Sequence, residues 1–101
     1  MTYKSITELA EEAHRIAVEK GFWESERSPG ECIVLMHSEL SEALEKFRRP
    51  LYRKERIAEE FADCIIRILD FCHAWKMDIE KAILEKMERN KKREYKHGKR
   101  F

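Results

Sequence analysis

Apolar residues recur at intervals of three and four along most of this chain, and little interrupts them: three glycines and two prolines in 101 residues. That spacing gathers side chains on one face of an α-helix. So few breakers leave no room for the turns an all-β fold needs. Four segments carry the pattern. The first runs from about Ser5 to Lys20, with Ile6, Leu9, Ala10, Ala13, Ile16 and Ala17 on one face. Ser5 and Glu8 have the spacing of a capping box, and Gly21 ends the segment. The second, from about Pro29 to Arg48, opens on Ser28-Pro29 and presents Ile33, Met36, Leu40, Ala43, Leu44 and Phe47 as its expected core stripe, before Pro50 breaks the pattern.

The third segment, from about Lys54 to Trp75, carries Ile57, Phe61, Cys64, Ile65, Ile68, Leu69, Cys72 and Trp75. Asp78 is placed to cap the fourth, which runs from Ile79 to about Tyr95 through Ala82, Ile83 and Met87. Short links between such helices predict an all-α fold, a compact antiparallel four-helix bundle forming one domain over residues 1–101, with a polar basic tail from about residue 96. A chain this short buries only about 60–65% of its unfolded surface, so association of subunits would help it.

Charged residues make up 41% of the chain and hydrophobic residues 43%, as expected of helices with one apolar and one solvated face. The net charge of +1 supplies no general attraction to nucleic acid or to an anionic membrane, so neither is expected as a partner. No apolar run approaches the roughly 18 residues of a membrane span. Cys32, Cys64 and Cys72 are odd in number and lie in apolar runs, where they read as small buried hydrophobes in a reducing compartment. A cytoplasmic location is expected.

Against this pattern, two pairs of acids stand out. Glu39 and Glu42 fall on one flank of the second stripe, and Glu60 and Asp63 fall on one flank of the third. Residues three apart on a helix are near enough for both carboxylates to reach one site. Two adjacent antiparallel helices can bring such pairs face to face, and four carboxylates so placed need a cation to offset their repulsion. Oxygen donors favour Mg²⁺, with Mn²⁺ as a substitute, over zinc. In a chain this charged, the same residues also read as solvated surface acids.

Other features are open to two readings as well. Glu11 and His14 form an ExxH, and Asp70 and His73 a DxxH, which together approach the ligand pattern of a di-iron carboxylate bundle. Lys86, Asn90 and Arg93 share a face of the basic fourth segment. They either complement a helix C-terminus or reach a polyphosphate. Phe22 reads as a core anchor. Trp23 reads as a core residue or as a stacking platform for a base.

Taken together, E39-L-S-E42, E60-F-A-D63 and the ending K86-M-E-R-N90-K-K-R93-E-Y95 followed by H97-G-K resemble the MazG-like all-α nucleoside triphosphate pyrophosphohydrolases and the related dCTP pyrophosphatases. The resemblance covers about residues 22–101. It implies Mg²⁺-dependent cleavage of a nucleoside triphosphate to the monophosphate and pyrophosphate, by a homodimer or homotetramer. It also implies metal-binding and catalytic roles for Glu39, Glu42, Glu60 and Asp63, phosphate contacts from Lys86, Asn90 and Arg93, and a base pocket around Trp23, Arg27 and Ser28. One position departs from the family pattern: Ser38 stands where the first glutamate of EExxE is expected. A relative that binds nucleotides without cleaving them therefore remains an alternative.

Overall fold

The four periodic segments fold as helices in a computed structural model that describes residues 3–100. They are α1 (Ile6–Glu19), α2 (Pro29–Phe47), α3 (Lys54–Ala74) and α4 (Ile79–Lys91), and no strand occurs among the described residues. Three of the four starts are those the side chains dictate. Ser5 accepts from the Glu8 amide while Glu8 accepts from the Ser5 amide, closing the capping box of α1. Ser28 caps α2 ahead of Pro29, and Asp78 caps α4 by accepting from the Lys81 amide. After α1, Gly21 turns the chain with φ +85°, a conformation that favours glycine.

α4 is shorter than the periodicity predicts, ending at Lys91 rather than near Tyr95. After Met87 the segment carries no apolar side chain before Tyr95, so nothing rewards continuing the helix. A 3-10 turn at Tyr95–Gly98 follows, with Lys96 and His97 in left-handed backbone.

α3 is the central element. α2 packs antiparallel along one side of it, with the Cys64 thiol donating to the Met36 carbonyl and Lys46 meeting Glu60. α1 packs antiparallel along another side, where His14 meets Asp70. α4 departs from the expected closed bundle. It packs substantially only on α1, where Glu80 Oε1 accepts from the Ile6 and Thr7 amides at 2.9 and 3.2 Å and so serves the start of α1. None of its residues is buried.

The core is small in both number and size of side chain: Ala10, Ala17, Cys32, Ala43, Ile57, Cys64, Leu69, Phe71 and Cys72. Two glutamates, Glu39 and Glu60, are buried with them. Of the stripe expected to form the core side of α2, only Ala43 is buried. The helix is rotated so that Cys32, Glu39 and Ala43 face α3, while Ile33, Leu40, Leu44 and Phe47 lie exposed. No helix is long and apolar enough to cross a membrane, among the described residues.

Candidate metal centre

The rotation of α2 is what builds the site. It carries Glu39 and Glu42, one turn apart, to the seam with α3, and the antiparallel pairing sets Glu60 opposite them. One carboxylate oxygen from each of the three lies within 4.8 Å of the others. Glu39 and Glu60 are each only 8% exposed, and Glu42 sits at the open edge. A buried carboxylate needs a compensating charge or donor, and two cations supply it. Arg67 Nε donates to Glu39 Oε1 at 3.1 Å, and Lys46 Nζ donates to Glu60 Oε1 at 2.5 Å.

The balance is incomplete. Glu60 Oε2 is shut off from solvent and accepts no hydrogen bond. The Lys46 ammonium holds the Glu60 carboxyl below its ordinary pKa, against the cost of burial. Glu42 is pushed the other way, chiefly because its proton would be shared with Glu60, and further by the negative charges of Glu60 and Glu39. Where three carboxylates converge, a proton on Glu42 or a cation between them serves the same need.

The sequence places four acids here, and three of them form the cluster. Asp63, one turn beyond Glu60, is exposed and stands outside the set of three. It lies instead on the wall of an adjoining cavity of about 300 Å³, together with Glu39, Arg67, Arg27, Asp70 and Phe22. The Ser38 hydroxyl donates to the Leu35 carbonyl at 2.8 Å.

The segment between α1 and α2 forms one side of this cavity, and Asp70 holds it. Trp23 Nε1 donates to Asp70 Oδ1 and Oδ2 at 3.0 and 3.2 Å, and His14 Nδ1 lies 2.8 Å from Oδ1. The Arg27 guanidinium lies 5.9 Å from the centre of the Trp23 ring. Trp23 is thus an anchored residue. Phe22, expected in the core, is 56% exposed and opens into the cavity, because Asp70 draws its neighbour Trp23 inward instead. The Ser28 hydroxyl oxygen is engaged in capping α2, accepting from the Glu31 amide at 3.1 Å. Of the three residues expected around a base, Arg27 alone lines the cavity.

Lys86, Asn90 and Arg93 do not join the carboxylates within the chain. Lys86 and Asn90 ride on α4, and Arg93 follows just beyond its end. Asn90 Oδ1 is buried without a partner, and Arg93 Nη1 lies 2.8 Å from His97 Nδ1. The ExxH and DxxH pairs meet only in part. His14, Asp70 and His73 converge, the two imidazoles 5.0 Å apart, but Glu11 faces a separate surface among Lys4, Glu8, Glu12 and Arg15. Glu39, Glu42 and Glu60 are the single set of three potential ligands among the described residues.

The structure adds three residues that the sequence does not single out for the site: Lys46, Arg67 and Asp70. The first two are foreshadowed by spacing, since Lys46 follows Glu42 and Arg67 follows Asp63 by four residues, the interval of helical ion pairs. Here the pairing crosses between helices.

The chain matches no protein-family model, no curated protein and no solved structure. What fold and site define is a helical protein with a cluster of three carboxylates, all oxygen donors, suited to a hard divalent cation.

Proposed function

We propose that this protein is a divalent-metal-dependent nucleoside triphosphate pyrophosphohydrolase, cleaving the α–β anhydride of a ribo- or deoxynucleoside triphosphate to the monophosphate and pyrophosphate. The observation that carries the reading is the meeting of Glu39, Glu42 and Glu60 around a buried, unpartnered carboxylate oxygen beside a cavity walled by two arginines. That acceptor can be met by a proton on Glu42 or by a cation, and a cation also offsets the repulsion among the three carboxylates.

In this reading Glu39, Glu42 and Glu60 hold Mg²⁺ or Mn²⁺, and Asp63 completes the ligand set from the cavity side. An ion held there would supply charge neutralisation at the phosphate oxygens and a water of lowered pKa. Arg27 and Arg67, both on the cavity wall, draw the polyphosphate in and hold it. An ion held by Glu39 and Glu60 would supply the positive charge that Arg67 and Lys46 now give them, leaving Arg67 on the cavity wall available to phosphate. A volume of about 300 Å³ lies at the lower end for ligand sites and suits a base or a sugar, with the Phe22 ring available for stacking. Lys86, Asn90 and Arg93 are assigned to the leaving pyrophosphate, in a homodimer or homotetramer working in the cytoplasm.

Ser38 favours a second reading, a nucleotide-binding protein that does not cleave. It replaces one expected acid, and its hydroxyl is engaged with the Leu35 carbonyl. Pyrophosphate release from a panel of ribo-, deoxy- and modified nucleoside triphosphates with Mg²⁺, wild type beside Glu60→Gln, decides between them. Release by wild type, reduced by orders of magnitude in a Glu60→Gln protein of unchanged helicity, is the expected result. Equal release by both removes the carboxylates from the mechanism. Silence from both, with nucleotide binding retained, establishes the second reading.

A further inference from the structure

His14 and His73 stand apart from the carboxylate cluster and have no part in the proposed chemistry. They come from different helices, His14 from α1 and His73 from the last turn of α3. Their ring centres lie 5.0 Å apart, with the planes at 41°. The two acids that share their sequence motifs do not behave alike. Glu11 faces a separate surface, whereas Asp70 sits against His14. The set is therefore two imidazoles and one carboxylate, too few acids for a di-iron centre.

Asp70 decides which nitrogen of His14 is available. Its Oδ1 lies 2.8 Å from His14 Nδ1, and a carboxylate only accepts hydrogen bonds. The proton of a neutral His14 ring therefore stands on Nδ1, and Nε2 keeps its lone pair. Trp23 Nε1 donates to both oxygens of Asp70, at 3.0 and 3.2 Å, and fixes the carboxylate in turn. A carboxylate behind the far nitrogen of a histidine is the arrangement that orients metal-binding imidazoles and raises their basicity. His73 is exposed, so its ring has room to turn and solvent reaches the pair from that side. The spacing fits as well. With a Zn–N bond of about 2.0–2.1 Å and about 1.1 Å more to each ring centre, two imidazoles on one tetrahedral ion have centres about 5 Å apart.

We propose that His14 and His73 form a two-histidine site for a divalent transition-metal cation of the Zn²⁺ or Ni²⁺ class. His14 Nε2 and one ring nitrogen of His73 hold the ion, water fills its other positions, and Asp70 is the positioning residue behind His14. Imidazole nitrogen selects Zn²⁺, Ni²⁺ or Cu²⁺, whereas the three glutamates select a hard ion, so the two sites take different metals. The consequence is mechanical. An ion there ties α1 to α3 at the point where Asp70 also holds Trp23, whose segment forms one side of the cavity. Its occupancy braces that wall. The catalytic reading is not needed for this, since neither histidine lines the cavity or belongs to the carboxylate cluster.

The test is isothermal titration of the full chain, stripped with EDTA and desalted, with Zn²⁺ in excess Mg²⁺ to keep Zn²⁺ off the carboxylates. One Zn²⁺ per chain is expected, with micromolar affinity. Zn²⁺ should also raise the melting temperature, because the ion bridges two helices only in the folded state. His14→Gln and His73→Ala should each weaken binding at least about tenfold and abolish that rise, and Asp70→Asn should weaken binding about 10–100-fold. His37→Ala and Glu60→Gln should take up Zn²⁺ as wild type does. Because His73 is exposed, His73→Ala carries the test should His14→Gln lose its far-UV circular dichroism. Failure of wild type to bind Zn²⁺ overturns the proposal. So does binding that His73→Ala leaves unchanged, or binding that Glu60→Gln removes. Wild-type affinity in Asp70→Asn overturns the role given to Asp70.

Discussion

Replacing Asp70 by alanine tests how the cavity wall is held. Among the described residues, Asp70 makes the side-chain hydrogen bonds between α3 and the segment that carries Phe22, Trp23 and Arg27, and it also meets His14 of α1. Its side chain is 14% exposed, so solvent replaces only part of what is lost. Hydrogen bonds to a charged partner are worth about 1.5–3 kcal/mol each when buried. Taking the low end for two such donors at a partly open site gives about 3 kcal/mol for Asp70→Ala. In a domain of about 100 residues each kcal/mol moves the melting temperature by about 4–8 °C, so a fall of about 12–24 °C is expected.

Asp70→Asn retains one acceptor oxygen and should lose roughly half as much. A double-mutant cycle with Trp23→Phe isolates the indole bond, and a coupling of about 1 kcal/mol or more is expected if the two residues act as one unit. Thermal melts followed by circular dichroism supply all four corners of the cycle. If Asp70→Ala melts within about 3 °C of wild type, or the cycle closes with no coupling, Asp70 does not hold the segment. Under the proposed function, a loosened wall should also raise KM for the nucleotide more than it lowers kcat, since Asp70 touches no carboxylate of the cluster.

Two further outcomes follow from the same geometry. Glu42 has its pKa raised in the fold, so its proton is held there more tightly than in the unfolded chain, and its ionisation opposes folding as pH rises through that raised value. Glu60 behaves oppositely: its pKa is lowered, so its contribution to stability is present above its ordinary pKa and is lost as pH falls through the lowered one. Under the proposed function a divalent cation would displace the Glu42 proton, so the rise in melting temperature on adding Mg²⁺ should grow as pH is raised through the elevated Glu42 value and then level off; a Mg²⁺ effect independent of pH across that range would count against binding at these carboxylates. At the far end of the molecule, Glu80→Ala removes the acceptor for the Ile6 and Thr7 amides and should cost about 1 kcal/mol, seen as a fall of about 4–8 °C in the melting temperature; no change would mean that α4 does not support α1.

The sequence by itself determines the helices and most of their limits. Ser5, Ser28 and Asp78 fix three starts, Gly21 fixes an end, and the three- and four-residue periodicity fixes the type of structure. It also marks Glu39, Glu42, Glu60 and Asp63 as acids out of place on inward flanks, of which the first three come together. These are local properties, written in the side chains of one turn or the next.

What the sequence leaves open is which flank of a helix meets which neighbour. α2 carries an apolar line at Ile33, Leu40, Leu44 and Phe47 beside a mixed line at Cys32, Glu39 and Ala43, and hydrophobicity alone assigns the first to the core. The tertiary structure assigns the second. Small side chains let α2 and α3 approach closely at Ala43 and Cys64, and Arg67 and Lys46, supplied across the seam, make two buried glutamates tolerable. Neither cation can be credited to the site until α3 is laid antiparallel on α2. The same packing leaves Asp63 on the cavity wall, draws Trp23 to Asp70, and carries Lys86 and Asn90 away on a helix that rests on α1. Periodicity says that a stripe must be covered, but the covering surface belongs to another part of the fold, or to another chain, and is encoded nowhere near the stripe itself.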